Sequence, residues 1–476
     1  MKKIFLSILA FTLATIAFSV ELANVASTKY VFLFIGDGMS IPQRMAADEF
    51  VRINTKQGLA INSMPYSAVT TTRAANSFIT DSAASGTAIA CGEKTNNGAI
   101  GLDAEGKRIT SIAEVARDSG RKVGIITSVT LNHATPAAFY GHRRSRGSYY
   151  EIGLDLVASD FNFFGGSGIA EHDNKKAKKK AYKGDTYKHN ESNDFKGDIY
   201  DLAGQKGYKI VKGLDALNSL KKGDDKIIAC ANSSGLDLEI DADPSKNNPT
   251  IADFLKKGIE LLDNQKGFFI MVEGGMIDWS CHANDAASAL HEVKNLDNAV
   301  KVALEFAKKH PTETLIVVTG DHETGGLTMG FAGTGYNSYI ERLCLQKNSR
   351  GKLNSKLRKL GRGNKDVSFD DTKPILEETL GLKFVSEDKK APMLLTKKEI
   401  EELEDAFKVW KKNTQKNETL VSTAIKIANN KAGLAWTSGA HTALPVLTTA
   451  SGKNAEIFKG TIDNTDIAKI LKRAVR

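Results

Sequence analysis

Four short apolar runs punctuate the chain: Tyr30–Ile35 (YVFLFI), Val123–Thr127 (VGIIT), Phe268–Val272 (FFIMV) and Leu315–Thr319 (LIVVT). They are rich in β-branched or aromatic side chains and lack polar alternation, the pattern of strands buried on both faces of a parallel sheet. Between them the spacing turns helical, over Ile112–Asp118 with Gly120 behind it, over Thr250–Asp263 after Pro249, and over Ala283–Lys309 with Pro311 beyond. Strand and helix alternate, so the expected fold is α/β: a three-layer α/β/α sandwich around a mostly parallel central sheet. The stretch 331–431 departs from this rhythm. It is rich in Lys and Glu, includes a helical pattern over Leu395–Lys412 with Thr396 as its cap, and is expected to be an insertion or subdomain within a domain spanning 20–476. No internal repeat of 20–50 residues is visible.

The amino terminus belongs to a different pattern. Met1-Lys2-Lys3 precede an apolar stretch from Ile4 to Val20 interrupted only by Ser and Thr. Residues 1–19 read as a secretory signal peptide, with Ala17-Phe18-Ser19 supplying small residues for cleavage. The alternative, an uncleaved anchor, is disfavoured because the run is short of the roughly 20 apolar residues that span a bilayer. The mature chain is therefore expected to be exported, periplasmic or secreted, with no stable membrane insertion after cleavage. In that oxidising setting Cys91, Cys230, Cys281 and Cys344 stand either as disulfides or as buried thiols. With no Cys-x-x-Cys pair, a cysteine zinc site is not expected.

Composition narrows the class. The 476 residues include 65 Lys+Arg against 56 Asp+Glu, a formal charge of +9, with 41% apolar and 25% charged residues. These proportions exclude collagenous, low-complexity and acidic disordered chains. Positive charge gathers at 175–183 (KKAKKKAYK) and 346–362 (QKNSRGKLNSKLRKLGR). Without interleaved aromatics these runs read as solvated loops, so no specific nucleic-acid partner is expected and a general attraction for anionic substrates is.

Chemistry gathers at the ends of the apolar runs. The first turns through Gly36-Asp37-Gly38, which makes Asp37 either a metal ligand or a turn aspartate. The third ends in Glu273-Gly274-Gly275, followed by Asp278 and His282 at the i, i+4 spacing that puts two ligands on one helical face. The fourth ends in Asp321-His322. Carboxylates gathered at one sheet edge repel each other unless cations lie among them, so the cluster implies metal. Mixed Asp/His ligation suits Zn²⁺, and oxygen-only ligation suits Mg²⁺ or Ca²⁺. Ser82, within Thr80-Asp81-Ser82-Ala83-Ala84-Ser85-Gly86, opens a small-residue helix and is a nucleophile candidate or an N-cap. After the second strand, Asn132-His133-Ala134-Thr135 brings a hydroxyl to the same edge. Arg143, Arg144 and Arg146 follow, as an oxyanion fork or a solvated loop.

Taken together, IGDGM, TDSAASGTA, HATPAA, VEGGMID-x-x-x-H, TGDHETGG and SGAHTALPV, running in that order from Ile35 to Val446, resemble the alkaline phosphatase family of secreted metal-dependent phosphomonoesterases. The resemblance implies hydrolysis of phosphate monoesters through a phosphoserine on Ser82, with two Zn²⁺ and one Mg²⁺ as cofactors. Asp37, Asp321 and His322 match the ligands of the zinc beside the serine. Asp278, His282 and His441 match those of the other zinc; local pattern alone does not single out His441. Asp37, Thr135 and Glu273 match the magnesium ligands, an oxygen-only set, and Arg146 matches the phosphate-binding arginine. His133 and Trp279 stand beside the ligands, where the enterobacterial pattern has an aspartate and a lysine. Their presence implies faster phosphate release, weaker magnesium retention and a more alkaline optimum. The resemblance also implies a homodimer that scavenges phosphate outside the cytoplasm. The alternatives are a phosphodiesterase of the same superfamily and a non-catalytic metal- or phosphate-binding protein. No Cys/Ser-x-Pro-x-Arg segment supports a sulfatase.

Overall fold

The computed structural model describes residues 22, 24–174, 195–232, 235–330, 333–364 and 366–476. The export segment 1–19 and the lysine run 175–183 lie outside the described residues. The described residues form fourteen strands: β1 Tyr30–Gly36, β2 Tyr66–Thr71, β3 Lys122–Thr127, β4 Phe163–Gly166, β5 Lys209–Lys212, β6 Ile227–Cys230, β7 Phe268–Gly274, β8 Thr314–Gly320, β9 Glu323–Thr324, β10 Leu327–Met329, β11 Leu434–Trp436, β12 His441–Thr442, β13 Val446–Gly452 and β14 Gly460–Asp463.

Ten of them form one sheet in the order β14-β2-β13-β8-β1-β7-β3-β4-β6-β5. The four apolar runs are its adjacent central strands β8, β1, β7 and β3, all parallel. Along β1 the side chains alternate between two cores. Val31, Leu33 and Ile35 face one, under the helices Ser82–Cys91, Ile112–Asp118 and Asn464–Ala474. Phe32 and Phe34 face the other, under Ile41–Thr55, Ile251–Leu262 and Ala286–Lys309. This is the three-layer α/β/α sandwich with a mostly parallel sheet; among its ten strands β13 alone runs antiparallel to its neighbours, β8 and β2. Each fully buried Val, Ile, Leu or Phe contributes about 1.5–3 kcal/mol, so the doubly covered centre is a rigid mount for the loops at its carboxyl edge.

Local chemistry explains the helix limits. Ser111 and Glu114, Thr250 and Asp253, and Thr396 and Glu399 form capping boxes on three of the expected helices. The helix expected over Ala283–Lys309 instead begins at Ala286, because Asn284 adopts a left-handed conformation (φ 51°) and Asp285 is the N-cap, accepting from Ser288 N. The basic run 346–362 is not a loop. Ser349 caps the helix Arg350–Gly361, whose Leu353 and Leu357 are buried. These two leucines join a separate hydrophobic cluster that runs to Ala428 and includes the fully buried Trp410. β10 and β11 pair antiparallel where this helical excursion leaves and rejoins the main body. All four cysteines are free thiols, three of them buried and Cys344 exposed. Burial pushes the Cys91 thiol up to about 12 and that of Cys230 to about 11.

Candidate active site

β1, β7 and β8 end side by side, with Gly36 paired to both Gly274 and Gly320. Their loops pass very close to one another. A Cβ on Gly320 would lie 2.1 Å from the Met39 carbonyl oxygen, and one on Gly38, at φ 71°, would lie 2.9 Å from Thr324 Oγ1 and 3.0 Å from Asp278 Oδ1. Glycine at these positions lets Asp37, Asp278 and Asp321 converge. Gly38 N–H donates to Asp321 Oδ1 (3.0 Å), which locks two of the loops together.

Three donor sets result, each with ligand atoms within 4.8 Å of one another: Asp37, Asp321 and His322; Asp278, His282 and His441; and Asp37, Glu273 and His133. Thr135 accompanies the third set, its hydroxyl beside Glu273. The structure therefore places an imidazole nitrogen in a set expected to offer oxygen alone. The reason is local: His133 immediately precedes the short helix Ala134–Ala137 that carries Thr135, and it is buried.

The histidines of the first two sets are held in one tautomer. His282 Nδ1 donates to Gly439 O (2.7 Å) and His441 Nδ1 to Thr80 O (2.9 Å). Thr324 Oγ1 spends its single proton on Asp278 Oδ1 (2.6 Å), so it accepts from His322 Nδ1 (3.2 Å). Each ring thus turns its Nε2 inward, the orientation that outer hydrogen bonds impose on metal-binding imidazoles. His282 Nε2 and His441 Nε2 face each other at 3.2 Å, with Asp278 Oδ2 3.3 Å from the former. Two inward-turned ring nitrogens and a carboxylate so disposed form a donor set that suits a cation.

Electrostatics point the same way. Burial, then the neighbouring carboxylates, raise Asp37 far above the ordinary carboxylate range. Burial likewise raises Asp321, and it pushes Glu273 up to about 7. Burial acts upward on Asp278 too, but its hydrogen bond to His282 and the imidazoles around it outweigh this and hold it low. Burial, then the Arg146 charge, pushes His133 down to about 3. Asp37 Oδ2, Asp321 Oδ2, Glu273 Oε1, Thr135 Oγ1 and His133 Nδ1 are buried without a hydrogen-bond partner. Such orphaned atoms are costly unless a ligand takes them up, and this donor chemistry fits divalent cations.

Ser82 lies beside the first set. Asp81 is the N-cap, accepting from Ala84 N (2.9 Å), so Ser82 is the first residue of the helix Ser82–Cys91 and not its cap. Its Oγ stands 3.1 Å from His322 Nε2 and 3.5 Å from Asp37 Oδ1. Arg146 Nη1 donates to Asp81 Oδ2 (3.2 Å), and Nη2 lies 3.4 Å from His133 Nε2. Arg143, by contrast, forks onto Asp155 (2.7 and 2.6 Å), and Arg144 is exposed, beside Gly106. Trp279 is 47% exposed at the rim, its ring edge-on to His133 with centroids 6.1 Å apart. The residues matched to nucleophile, ligands and phosphate-binding arginine, together with His133 and Trp279, are thus in or beside one cluster.

Other members of the cluster are not visible as chemistry in the sequence. Asp81 both caps the serine's helix and orients Arg146. Glu323 accepts from Gln43 Nε2 (2.5 Å), Gly326 N (2.9 Å) and the Thr442 hydroxyl. It thereby fixes β12, which carries His441 and pairs antiparallel with β9. The only signal for Glu323 is a charge set among small residues in TGDHETGG.

The family model described as alkaline phosphatase matches residues 28–476. The chain belongs to the alkaline phosphatase family. It is 34% identical over 399 residues to alkaline phosphatase 4 of Bacillus subtilis, covering 84% of this chain and 77% of that one. It is 32% identical over 466 residues to alkaline phosphatase 3 of the same organism, covering 95% and 90%. The structure of a cold-active alkaline phosphatase from a psychrophilic Shewanella superposes with a TM-score of 0.77 at 28% identity, covering 94% of this chain and 100% of that one. The protein is a phosphomonoester hydrolase of this metal-dependent family.

Proposed function

We propose that the protein hydrolyses phosphate monoesters in two displacements at Ser82, with two Zn²⁺ and one Mg²⁺, outside the cytoplasm. The observation that carries this reading is the convergence of three donor sets at one sheet edge, the first of them beside a buried hydroxyl, Ser82 Oγ, 3.1 Å from His322 Nε2. Asp37, Asp321 and His322 would hold one zinc, and Asp278, His282 and His441 the other. Asp37, Thr135 and Glu273 would hold magnesium, with His133 at its edge. When bound, the cations neutralise charge on the entering and leaving oxygens and favour the alkoxide of serine.

The chain's own groups do the rest. Arg146, oriented by Asp81, offers its fork to two phosphoryl oxygens. The amino end of the helix Ser82–Cys91 adds a favourable dipole for the same anion. Ser82 Oγ attacks phosphorus, forming the Oγ–P bond as the P–O ester bond breaks, and the alcohol leaves with a proton. Water then attacks phosphorus as the Oγ–P bond breaks, a proton from that water goes to Oγ, and inorganic phosphate departs. Alignment and charge neutralisation account for most of the acceleration in such transfers.

Signal-directed export, a homodimeric assembly and an inserted subdomain at 331–431 complete the reading; the leader-like pattern at 1–19 and the separate cluster from Leu353 to Ala428 support its first and last parts. The test is the hydrolysis of p-nitrophenyl phosphate against bis-p-nitrophenyl phosphate from pH 7 to 11, before and after chelation and with zinc and magnesium restored. Monoester preference that disappears with the metal and returns with it is expected. Diester preference would contradict the proposal.

A further inference from the structure

Among its ties to the catalytic body, the helical excursion at 340–431 meets the turn Ala283-Asn284-Asp285, directly after His282. Arg350 Nη1 donates to Ala283 O (3.0 Å), and Arg350 N to Asp285 Oδ2 (2.7 Å). Gln346 Nε2 donates to Asp285 Oδ1 (2.8 Å). Asn429, buried on the last helix of the excursion, donates from Nδ2 to Asn284 O (2.7 Å) and accepts from Ala286 N (3.4 Å). On its other side the turn holds the site. Asn284 Nδ2 donates to Ser438 O (2.8 Å), and the adjoining Gly439 O receives His282 Nδ1 (2.7 Å). A cleft of about 470 Å³ lies along this seam, lined by Asn284, Arg350, Asn429 and Trp436. Directional polar ties therefore cross the seam where packing leaves a gap.

We propose that the excursion serves the reaction as a brace. Arg350 and Asn429 are positioning residues that act through Asn284 to fix the relative placement of His282 and His441. This rests on reading Asp278, His282 and His441 as a metal set.

The experiment follows the release of zinc from the fully loaded protein to excess chelator, together with kcat, KM and Tm, in four variants. Asn284→Gly keeps the left-handed backbone (φ 51°) and removes the strap to Ser438 together with the local bond from Nδ2 to Cys281 O (3.1 Å). Asn429→Ala removes the tie from the excursion. Leu380→Ala, in the excursion's own hydrophobic cluster and not among the residues that tie the seam, lowers Tm by general loosening. His282→Ala tests the ligand assignment. Outer hydrogen bonds of this kind change metal affinity roughly 10- to 100-fold, so Asn284→Gly and Asn429→Ala should release one equivalent of zinc roughly 10-fold faster. Their kcat should recover in added zinc while KM stays near the parent value. Leu380→Ala should release zinc as the parent does. Parental release from Asn284→Gly, or equally fast release from Leu380→Ala, would overturn the brace. A His282→Ala variant that keeps its full zinc content would overturn the ligand assignment itself.

Discussion

Ser82 has no capping duty to perform, because Asp81 already satisfies the helix N-terminus through Ala84 N and also receives Gly98 N (3.0 Å) and Arg146. Its buried hydroxyl is left for chemistry. Ser82→Ala should lower kcat by at least about 10³-fold, as loss of a covalent nucleophile does, while metal content by elemental analysis stays at the parent value. Arg146→Ala removes charged hydrogen bonds worth about 1.5–3 kcal/mol each, so kcat/KM should fall roughly 10- to 100-fold or more, with inorganic phosphate inhibiting more weakly. The burial of His133 in the third donor set makes that set unlike an oxygen cage. His133→Asp supplies a carboxylate in its place and should tighten magnesium retention, read as activity remaining after dilution into magnesium-free buffer.

At the scale of elements, the site depends on how closely three strand ends and one short hairpin meet. Glu323 holds β12 by accepting from Gln43, Gly326 and Thr442, all buried or nearly so. Glu323→Ala strands those donors at about 1–3 kcal/mol each, so Tm should fall by several degrees and metal should be lost at the set containing His441. The central strands were legible because β1, β3, β7 and β8 are covered on both faces and their residues are almost uniformly apolar. The outer strands were not. β2 alternates exposed and buried residues, and β4, β5, β6 and β14 each have four. The paired ligands Asp278/His282 and Asp321/His322 showed in local spacing. His441 reaches them through its pairing with Thr324, more than a hundred residues earlier, and its bond to Thr80 O, which no local pattern encodes. The helix start at Ala286 was hidden because Asn284 looks helix-compatible until its left-handed role in the seam is seen.

For the whole molecule, the buried carboxylates couple stability to metal and pH. Asp37, Asp321 and Glu273 are raised by burial in the metal-free protein, Glu273 to about 7. The unfolded chain releases these protons near pH 4, so their stabilising effect is complete below that and is lost as pH rises through each raised folded value, about 7 for Glu273. Metal binding needs the same oxygens deprotonated. The Tm difference between metal-loaded and chelated protein should therefore widen from pH 5 to pH 8, measured by differential scanning calorimetry. A gap that stays constant or narrows would mean that these carboxyls do not lie where the metals bind.

The most direct measurement is mass spectrometry of protein acid-quenched during turnover of a phosphate monoester. One phosphoryl group on the peptide containing Ser82, absent from Ser82→Ala, is the expected result. Steady-state turnover with no phosphoryl group on that peptide, or with the group on another residue, would contradict the assignment of Ser82 as the nucleophile.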